Sequence, residues 1–232
     1  MNAAVVVATY NERENLAGLV AAILRHPGYR VIIVDDNSPD GTGQIADTLA
    51  AESPGRVLVI HRTGPRGLGR SLIEGLKRAL ADGADLIFEM DADWSHNPEY
   101  LPALAAAAEE ADLVIGSRYL NGVSVVNWPL HRIMLSTLAN RYIRLVTGLA
   151  VRDCTSGYRC WRRDCFAKIP LDGVISDGYA FLVETLYLAR TSGCRIGEVP
   201  IIFVERRQGA SKISAGVLIE SIIVPWRLRM RP

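Results

Sequence analysis

The chain has little of what staples or tethers a protein. Its 232 residues include 4 cysteines and 4 histidines, and aromatic side chains make up 7%. Cys154, Cys160, Cys165 and Cys194 form no C-x-x-C pair and lack zinc-finger spacing, so they are predicted to be reduced thiols in a cytosolic protein. His26, His61, His96 and His131 are scattered. No run approaches the roughly 18 apolar residues of a spanning helix. The apolar run Ala3–Ala8 is short and has no basic residue before it, unlike a signal peptide. There is no G-x-x-x-x-G-K-[ST] loop, and Gly64, Gly67 and Gly69 do not follow the first strand in G-x-G-x-x-G order. These glycines are expected to shape a turn and a helix start. The net charge of +1 provides no large positive field for nucleic acid.

What is present is an ordinary globular composition, 49% hydrophobic and 22% charged, in a chain long enough to bury a core. The near-zero charge conceals a split. Residues 1–116 carry 9 basic and 17 acidic side chains, net −8, and residues 117–232 carry 17 basic and 8 acidic, net +9. Halves of opposite sign suit a site that handles both a metal and an anion. No linker separates them, which predicts one domain over 1–232 with an elaborated C-terminal part.

The first half alternates strand and helix patterns. Strands are predicted at Ala4–Thr9, Arg30–Val34, Arg56–Ile60, Asp85–Met90 and Asp112–Ile115. Helices are predicted at Glu14–Arg25, Thr42–Ala51, Gly67 to about Ala81, and Pro98–Glu110. This order implies an α/β fold with a mostly parallel sheet covered on both faces, whose ligands bind at the carboxyl ends of the strands. The second half is less regular. It has a helix pattern at Leu130–Leu149, a polar turn at Asp153–Arg159, a helix at Gly178–Arg190, strand character at Arg195–Val204, and a last helix at Ile213–Arg229 that Pro225 is expected to break.

Three polar clusters follow strands and so share one sheet edge. Thr9-Tyr10-Asn11-Glu12 is either a capped turn or a nucleoside contact through Tyr10 and Glu12. The segment from Val34 to Thr42 holds the adjacent carboxylates Asp35 and Asp36. Their mutual repulsion needs an explanation, and a ribose with two hydroxyl donors supplies one. In Met90-Asp91-Ala92-Asp93-Trp94-Ser95-His96, residues i and i+2 of an extended chain point the same way. Asp91 and Asp93 then converge as hard oxygen ligands for Mg²⁺ or Mn²⁺, with phosphate oxygens completing the shell. His96 is expected to be structural. Arg118, Arg132, Arg206 and Lys212 lie at predicted element ends or in loops. Each alone suits solvent, but together, facing an acidic site, they suit phosphates. The turn at 153–159 either rigidifies this region or contributes a carboxylate. Leu130, Ile133, Met134, Leu138, Ile143, Leu145 and Val146, with Arg132, Arg141 and Arg144, fit core packing or attachment to an anionic bilayer, as does the basic-aromatic C-terminus Trp226–Arg231.

The segments A-T-Y-N-E-R-E-N-L (8–16), V-D-D-N-S-P-D-G-T (34–42), R-G-L-G (66–69), M-D-A-D-W-S-H-N-P (90–98), G-S-R-Y (116–119), D-C-T-S-G-Y-R (153–159) and F-V-E-R-R-Q-G-A-S-K (203–212) resemble those of polyprenol (dolichol) phosphate mannose synthases of glycosyltransferase family 2. The resemblance spans nearly the whole chain in order. It implies a GT-A nucleotide-diphospho-sugar transferase fold, GDP-mannose as donor, a polyprenyl monophosphate acceptor, and Mg²⁺ or Mn²⁺. It implies that Ala8, Tyr10, Glu12, Val34 and Asp36 hold the nucleoside, and that Asp91, Ala92 and Asp93 sit at the metal and diphosphate. Arg118, Arg206 and Lys212 would contact phosphates, with Arg132 beside Arg118 on the acceptor side, and Asp93, Arg118 and Arg206 would carry catalysis. Ala8 stands where the family usually has Pro, and Ser95 where some members offer a third metal ligand. The likeness is to members without C-terminal membrane spans, at the cytoplasmic face of a membrane, with room for a separate membrane-spanning partner. The first-half motifs leave UDP-glucose open as an alternative donor, and a receiver-like or non-catalytic nucleotide-sugar binding module as alternatives of another kind.

Overall fold

A computed structural model describes residues 2–174, 176, 178–205 and 215–230. In the first half strands and helices alternate: β1 (Ala3–Thr9), α1 (Arg13–Leu24), β2 (Tyr29–Asp35), α2 (Thr42–Glu52), β3 (Val57–His61), α3 (Leu68–Ala81), β4 (Leu86–Asp91), α4 (Leu101–Ala107) and β5 (Leu113–Ser117). The second half adds β6 (Val125–Val126), α5 (Leu130–Thr147), β7 (Arg159–Arg162), α6 (Arg163–Phe166), α7 (Gly178–Thr191), β8 (Ile196–Pro200), β9 (Phe203–Val204) and α8 (Ala215–Arg229). The predicted helix from Pro98 to Glu110 is shorter than expected. A 3-10 turn over Pro98–Tyr100, capped by the Asn97 side chain accepting from the Glu99 N–H, precedes α4.

Seven strands form one sheet in the order β3-β2-β1-β4-β7-β5-β8, and β6 and β9 pair in a small second sheet. The pairs β1–β2, β1–β4, β2–β3 and β5–β8 are parallel. The exception is β7, which runs antiparallel between β4 and β5. The sequence pattern predicts no strand there, only a polar turn that ends at Arg159. The segment Arg-Cys-Trp-Arg has no apolar run, because Arg159 is a buried charge.

Alternation along each strand divides the core. Val5, Val7, Val31, Ile33 and Phe88 pack under α1, α2 and α4. Ala4, Val6, Ile32, Val34 and Ile87 pack under α3 and the second-half helices. Period-2 facing with both faces apolar is the reason these strands read as continuous hydrophobic runs. At Gly75, α3 approaches the sheet so closely that an added Cβ would collide with Val6 and lie 2.8 Å from Val34 Cγ2.

Two expectations are corrected and one left open is narrowed. Cys165 and Cys194 form a disulfide, with Cα atoms 5.9 Å apart. The return of the chain after α7 brings together residues whose 29-residue separation carries no pairing signal. Cys154 and Cys160 are free and buried. Pro225 lies inside α8 without breaking it. Packing holds the helix there, and the Tyr142 hydroxyl on α5 donates to the Ile222 carbonyl at 2.8 Å. Finally, only part of α5 enters the core. Ile143 and Val146 are buried, but Leu130, Met134, Leu138 and Leu145 are 72%, 57%, 58% and 84% exposed. Their spacing puts them on one helical stripe. On α8, which packs on α5, Ile222, Ile223, Trp226 and Met230 are also exposed. Among the described residues no helix is long and apolar enough to cross a membrane.

Candidate active site

The parallel strands β1, β2, β4 and β5 end at one edge, with Ala8 opposite Asp91 and Thr9 opposite Asp35 in register. The loops beyond these ends turn sharply. Asn11, Asn37 and Trp94 all adopt the left-handed backbone conformation (φ 60°, 58° and 64°), and such strain in non-glycine residues concentrates at functional sites. A cleft of about 680 Å³ opens over this edge, within the usual range for ligand sites.

Ala8, Tyr10, Glu12 and Asp36, expected at the nucleoside, all line the cleft. The Arg66 guanidinium lies 4.7 Å from the Tyr10 ring centroid and donates to the Tyr10 hydroxyl. Asn15 donates to Glu12 Oε2 at 2.8 Å. Val34 is fully buried among apolar side chains on the α3 face and does not line the cleft. Its carbonyl accepts from the Thr9 hydroxyl at 3.4 Å.

The paired carboxylates after β2 are reconciled without a ribose. Asp35 accepts from the Ser38 hydroxyl (2.6 Å), the Ser38 N–H (3.1 Å) and the Thr9 hydroxyl (3.2 Å). Asp36 accepts from the Arg62 guanidinium and from the Gly67 N–H at 2.8 Å. The first carboxylate closes its own loop. The second anchors the Arg66–Leu68 segment while still lining the cleft.

Asp91, Ala92 and Asp93 line the cleft floor. The left-handed turn at Trp94 lets the Ser95 N–H donate to Asp93 Oδ1 at 3.1 Å. His96 Nδ1 accepts from the Asp91 N–H at 3.1 Å, and its ring stacks on Tyr158 with centroids 4.9 Å apart. Burial pushes the His96 pKa below its ordinary value, against the pull of Asp91 and Asp93. A neutral imidazole holding the loop matches its predicted structural role. Among the described residues no group of three or more His, Cys, Asp or Glu is arranged to hold a metal. The protein therefore offers two carboxylates, and beside them the buried Ser95 hydroxyl lacks a hydrogen-bond partner. Two hard oxygens and an orphaned hydroxyl fit a small divalent cation whose remaining ligands are phosphate oxygens and water.

The rest of the lining is partly basic and aromatic. Arg118 follows β5 and Arg132 opens α5, and both line the cleft with Trp128 and Phe203. Asp153 grips Arg118 by a two-pronged pair, Nε to Oδ2 and Nη2 to Oδ1 at 2.7 Å each, and Thr155 Oγ1 accepts from Nη2 at 2.8 Å. Burial pushes the Asp153 carboxyl up, but Arg118's charge and hydrogen bonds together outweigh it and hold the pKa below the ordinary value. Arg132 pairs with Glu205 (2.7 and 2.5 Å), and its guanidinium carbon sits 4.1 Å from the Trp128 ring centroid. Of the two readings for the 153–159 turn, the geometry bears out the rigidifying one. Sequence reasoning assigns no role to Trp128, Phe203 or Thr155, and none to Arg66 beyond its motif. The strand-end logic does not reach them, because they come from loops and from the small second sheet. Arg206 and Lys212 lie outside the described residues.

Beneath the cleft, Glu89 lies two residues before Asp91 on β4 and opposite Arg159 in register. Burial pushes its pKa up against the opposing charge of Arg159 and the hydrogen bond from Trp161. Arg159 donates to the carbonyls of Ser156 and Leu182 and to the Thr185 hydroxyl, fastening the 153–159 turn to α7.

A largely parallel sheet with this strand order, carrying a carboxylate pair and facing arginines across its carboxyl edge, is the GT-A type of glycosyltransferase fold. Residues 4–169 match the family described as Glycosyl transferase family 2, and the chain belongs to that family. It is 46% identical over 235 residues to undecaprenyl-phosphate mannosyltransferase of Micrococcus luteus, spanning 100% of this chain and 96% of that protein. It is 44% identical over 232 residues to polyprenol monophosphomannose synthase of Mycolicibacterium smegmatis, spanning 98% and 87%. Among solved structures, glucosyl-3-phosphoglycerate synthase from Mycobacterium tuberculosis, in complex with Mn²⁺, UDP-glucose and phosphoglyceric acid, is similar at TM-score 0.69 and 17% identity, over 100% of this chain and 80% of that one. That likeness is one of fold.

Proposed function

We propose that this protein transfers mannose from GDP-mannose to a polyprenyl monophosphate at a membrane surface, with inversion at the anomeric carbon. The observation that carries this reading is the single cleft at the carboxyl edge of the sheet, lined both by Asp91 and Asp93 and by Arg118 and Arg132. Both relatives described above bear names for mannosyl transfer to a polyprenyl phosphate.

Tyr10, Glu12 and the Arg66 segment hold the nucleoside. Asp91 and Asp93, with the Ser95 hydroxyl beside them, hold Mg²⁺ or Mn²⁺. When bound, the ion neutralises charge on the departing diphosphate. Arg118, fixed by Asp153, and Arg132 orient the acceptor phosphate. An acceptor oxygen forms the new bond to the anomeric carbon as the sugar–diphosphate bond breaks and its electron pair leaves with the diphosphate. A phosphate monoester with a second pKa of about 6 is mostly dianionic at neutral pH, so no protein base is required. The arginines act by positioning two anions that otherwise repel. Arg206 and Lys212 add phosphate contacts. The exposed apolar rows on α5 and α8 rest on the bilayer, on its cytoplasmic side, where the lipid acceptor resides.

The test is transfer of label from GDP-mannose to a polyprenyl phosphate, with and without Mn²⁺, read by extraction into organic solvent. Extractable label that depends on the cation supports the reading. Preferential use of UDP-glucose overturns the donor assignment, and near-normal turnover by Asp93→Ala overturns the metal site.

A further inference from the structure

A second cavity, of about 290 Å³, opens beside α5. Its polar lining comprises Tyr119, Thr137, Asn140 and three arginines, Arg141, Arg144 and Arg152. Helix α5 contains no acidic residue. Among the described residues neither the Arg141 nor the Arg144 side chain has a hydrogen-bond or ion-pair partner. Arg152 Nη1 donates to the Leu120 carbonyl at 2.8 Å, which fixes it at the rim. The carboxylate of Glu198 accepts from the backbone N–H groups of Arg152 and Asp153 (2.9 and 3.1 Å).

The cavity is separate from the catalytic cleft. Asn140 lies between them, donating to Thr155 at 3.3 Å and accepting from the Cys154 N–H at 2.7 Å. An exposed apolar stripe of α5 runs past it. Leu130, Met134, Leu138 and Leu145 follow steps of four, four and seven, and Arg141 fills the seven-residue gap on the same stripe. Two arginines without partners, Arg141 within a row of exposed Leu and Met side chains and Arg144 beside it, match a molecule that carries a phosphate next to hydrocarbon. A free phosphate answers the arginines but not the leucines.

We infer that this cavity is a second anion site, which takes the phosphate headgroup of an anionic phospholipid when the α5–α8 face rests on a bilayer. The inference relies on the membrane-face reading above. A basic residue at an anionic surface contributes roughly a fivefold gain in binding, so losing two that contact the headgroup costs on the order of thirtyfold, and losing two that lie off the site costs less.

Flotation of the full chain with phosphatidylcholine vesicles, and with phosphatidylcholine–phosphatidylglycerol vesicles, tests it. Wild-type protein should prefer the anionic vesicles, and Arg141→Gln/Arg144→Gln should lose that preference by about the factor above. The variant should keep wild-type transfer to a short-chain, water-soluble polyprenyl phosphate. A charge-matched control, Arg227→Gln/Arg229→Gln on α8, should lose less, and an equal loss would replace the site with diffuse attraction and overturn it. Reversal of the preference by glycerol phosphate at concentrations that leave salt effects unchanged would assign the cavity to a free phosphate, against the lipid. Wild-type protein that ignores both vesicles removes the membrane face itself. Vesicle binding that the Arg141/Arg144 change leaves untouched removes only this site.

Discussion

The Asp153–Arg118 pair makes a quantitative test of how the basic part of the cleft is built. Asp153 is fully buried and Arg118 is 6% exposed. Asp153 accepts from Nε and Nη2 of Arg118 and from the Arg118 and Thr155 N–H groups. Asp153→Ala therefore takes the carboxylate from a buried guanidinium and the acceptor from two backbone donors. Breaking such a pair from one side costs about 3–5 kcal/mol, and at about 2–4 °C per kcal/mol for a chain of this size the melting temperature should fall by roughly 6–20 °C. Arg118→Met strands the carboxylate instead, and its damage should depend on pH. In the wild type the Asp153 pKa is depressed. Its stabilising contribution is thus present above the unfolded value near about 4 and is lost as pH falls through the folded value. Without Arg118, burial dominates and the folded pKa rises above the unfolded one. The stability gap between wild type and Arg118→Met should then widen as pH rises from about 4 toward neutrality. Urea unfolding of both single variants and the double variant across that range is the assay. The double variant should lose less than the two singles combined. Additive losses, or a gap that does not change with pH, would refute the reasoning.

Other outcomes follow from the same geometry. Gly75→Ala drives a methyl into Val6 and Val34, and overpacking of this kind should cost about 1–3 kcal/mol in chemical denaturation; unaltered stability would mean that α3 shifts freely. Asp36→Asn loosens the hold on Arg62 and Gly67 and should raise the KM for the nucleotide sugar more than it lowers kcat in steady-state transfer assays. Cys165→Ser opens a 29-residue loop, for which chain entropy gives ~3–4 kcal/mol. Thiol titration of the unfolded wild-type chain should find two reactive groups without reductant and four with it.

Most of the first-half architecture can be read from the residues because β1, β2 and β4 are covered on both faces, so each is a β-branched or apolar run, interrupted in β4 by Glu89, bounded by turn residues. Asp91, Asp93 and Arg118 can be picked out because polar groups directly after such strands share an edge. The strand Arg159–Arg162 escapes this reading. Its first residue is a buried charge that lies opposite Glu89 in register and donates to the Ser156 and Leu182 carbonyls and the Thr185 hydroxyl, partners invisible along the chain. Val34 is expected at the nucleoside, but period-2 alternation turns it into the α3 face. The exposed leucines of α5 have the spacing of a core stripe, and only the position of α8 decides that they face outward.

The antiparallel strand also governs how the molecule can move. A segment from the basic half is stitched between two strands of the acidic half, with hydrogen bonds on both flanks. The halves therefore cannot swing apart as a clamshell without tearing the sheet. Admission of donor and release of product must come from the loops at the rim. For the same reason a fragment ending at residue 116 would present β4 and β5 with no strand between them, which makes it a poor candidate for a free-standing donor-binding module and a good one for aggregation.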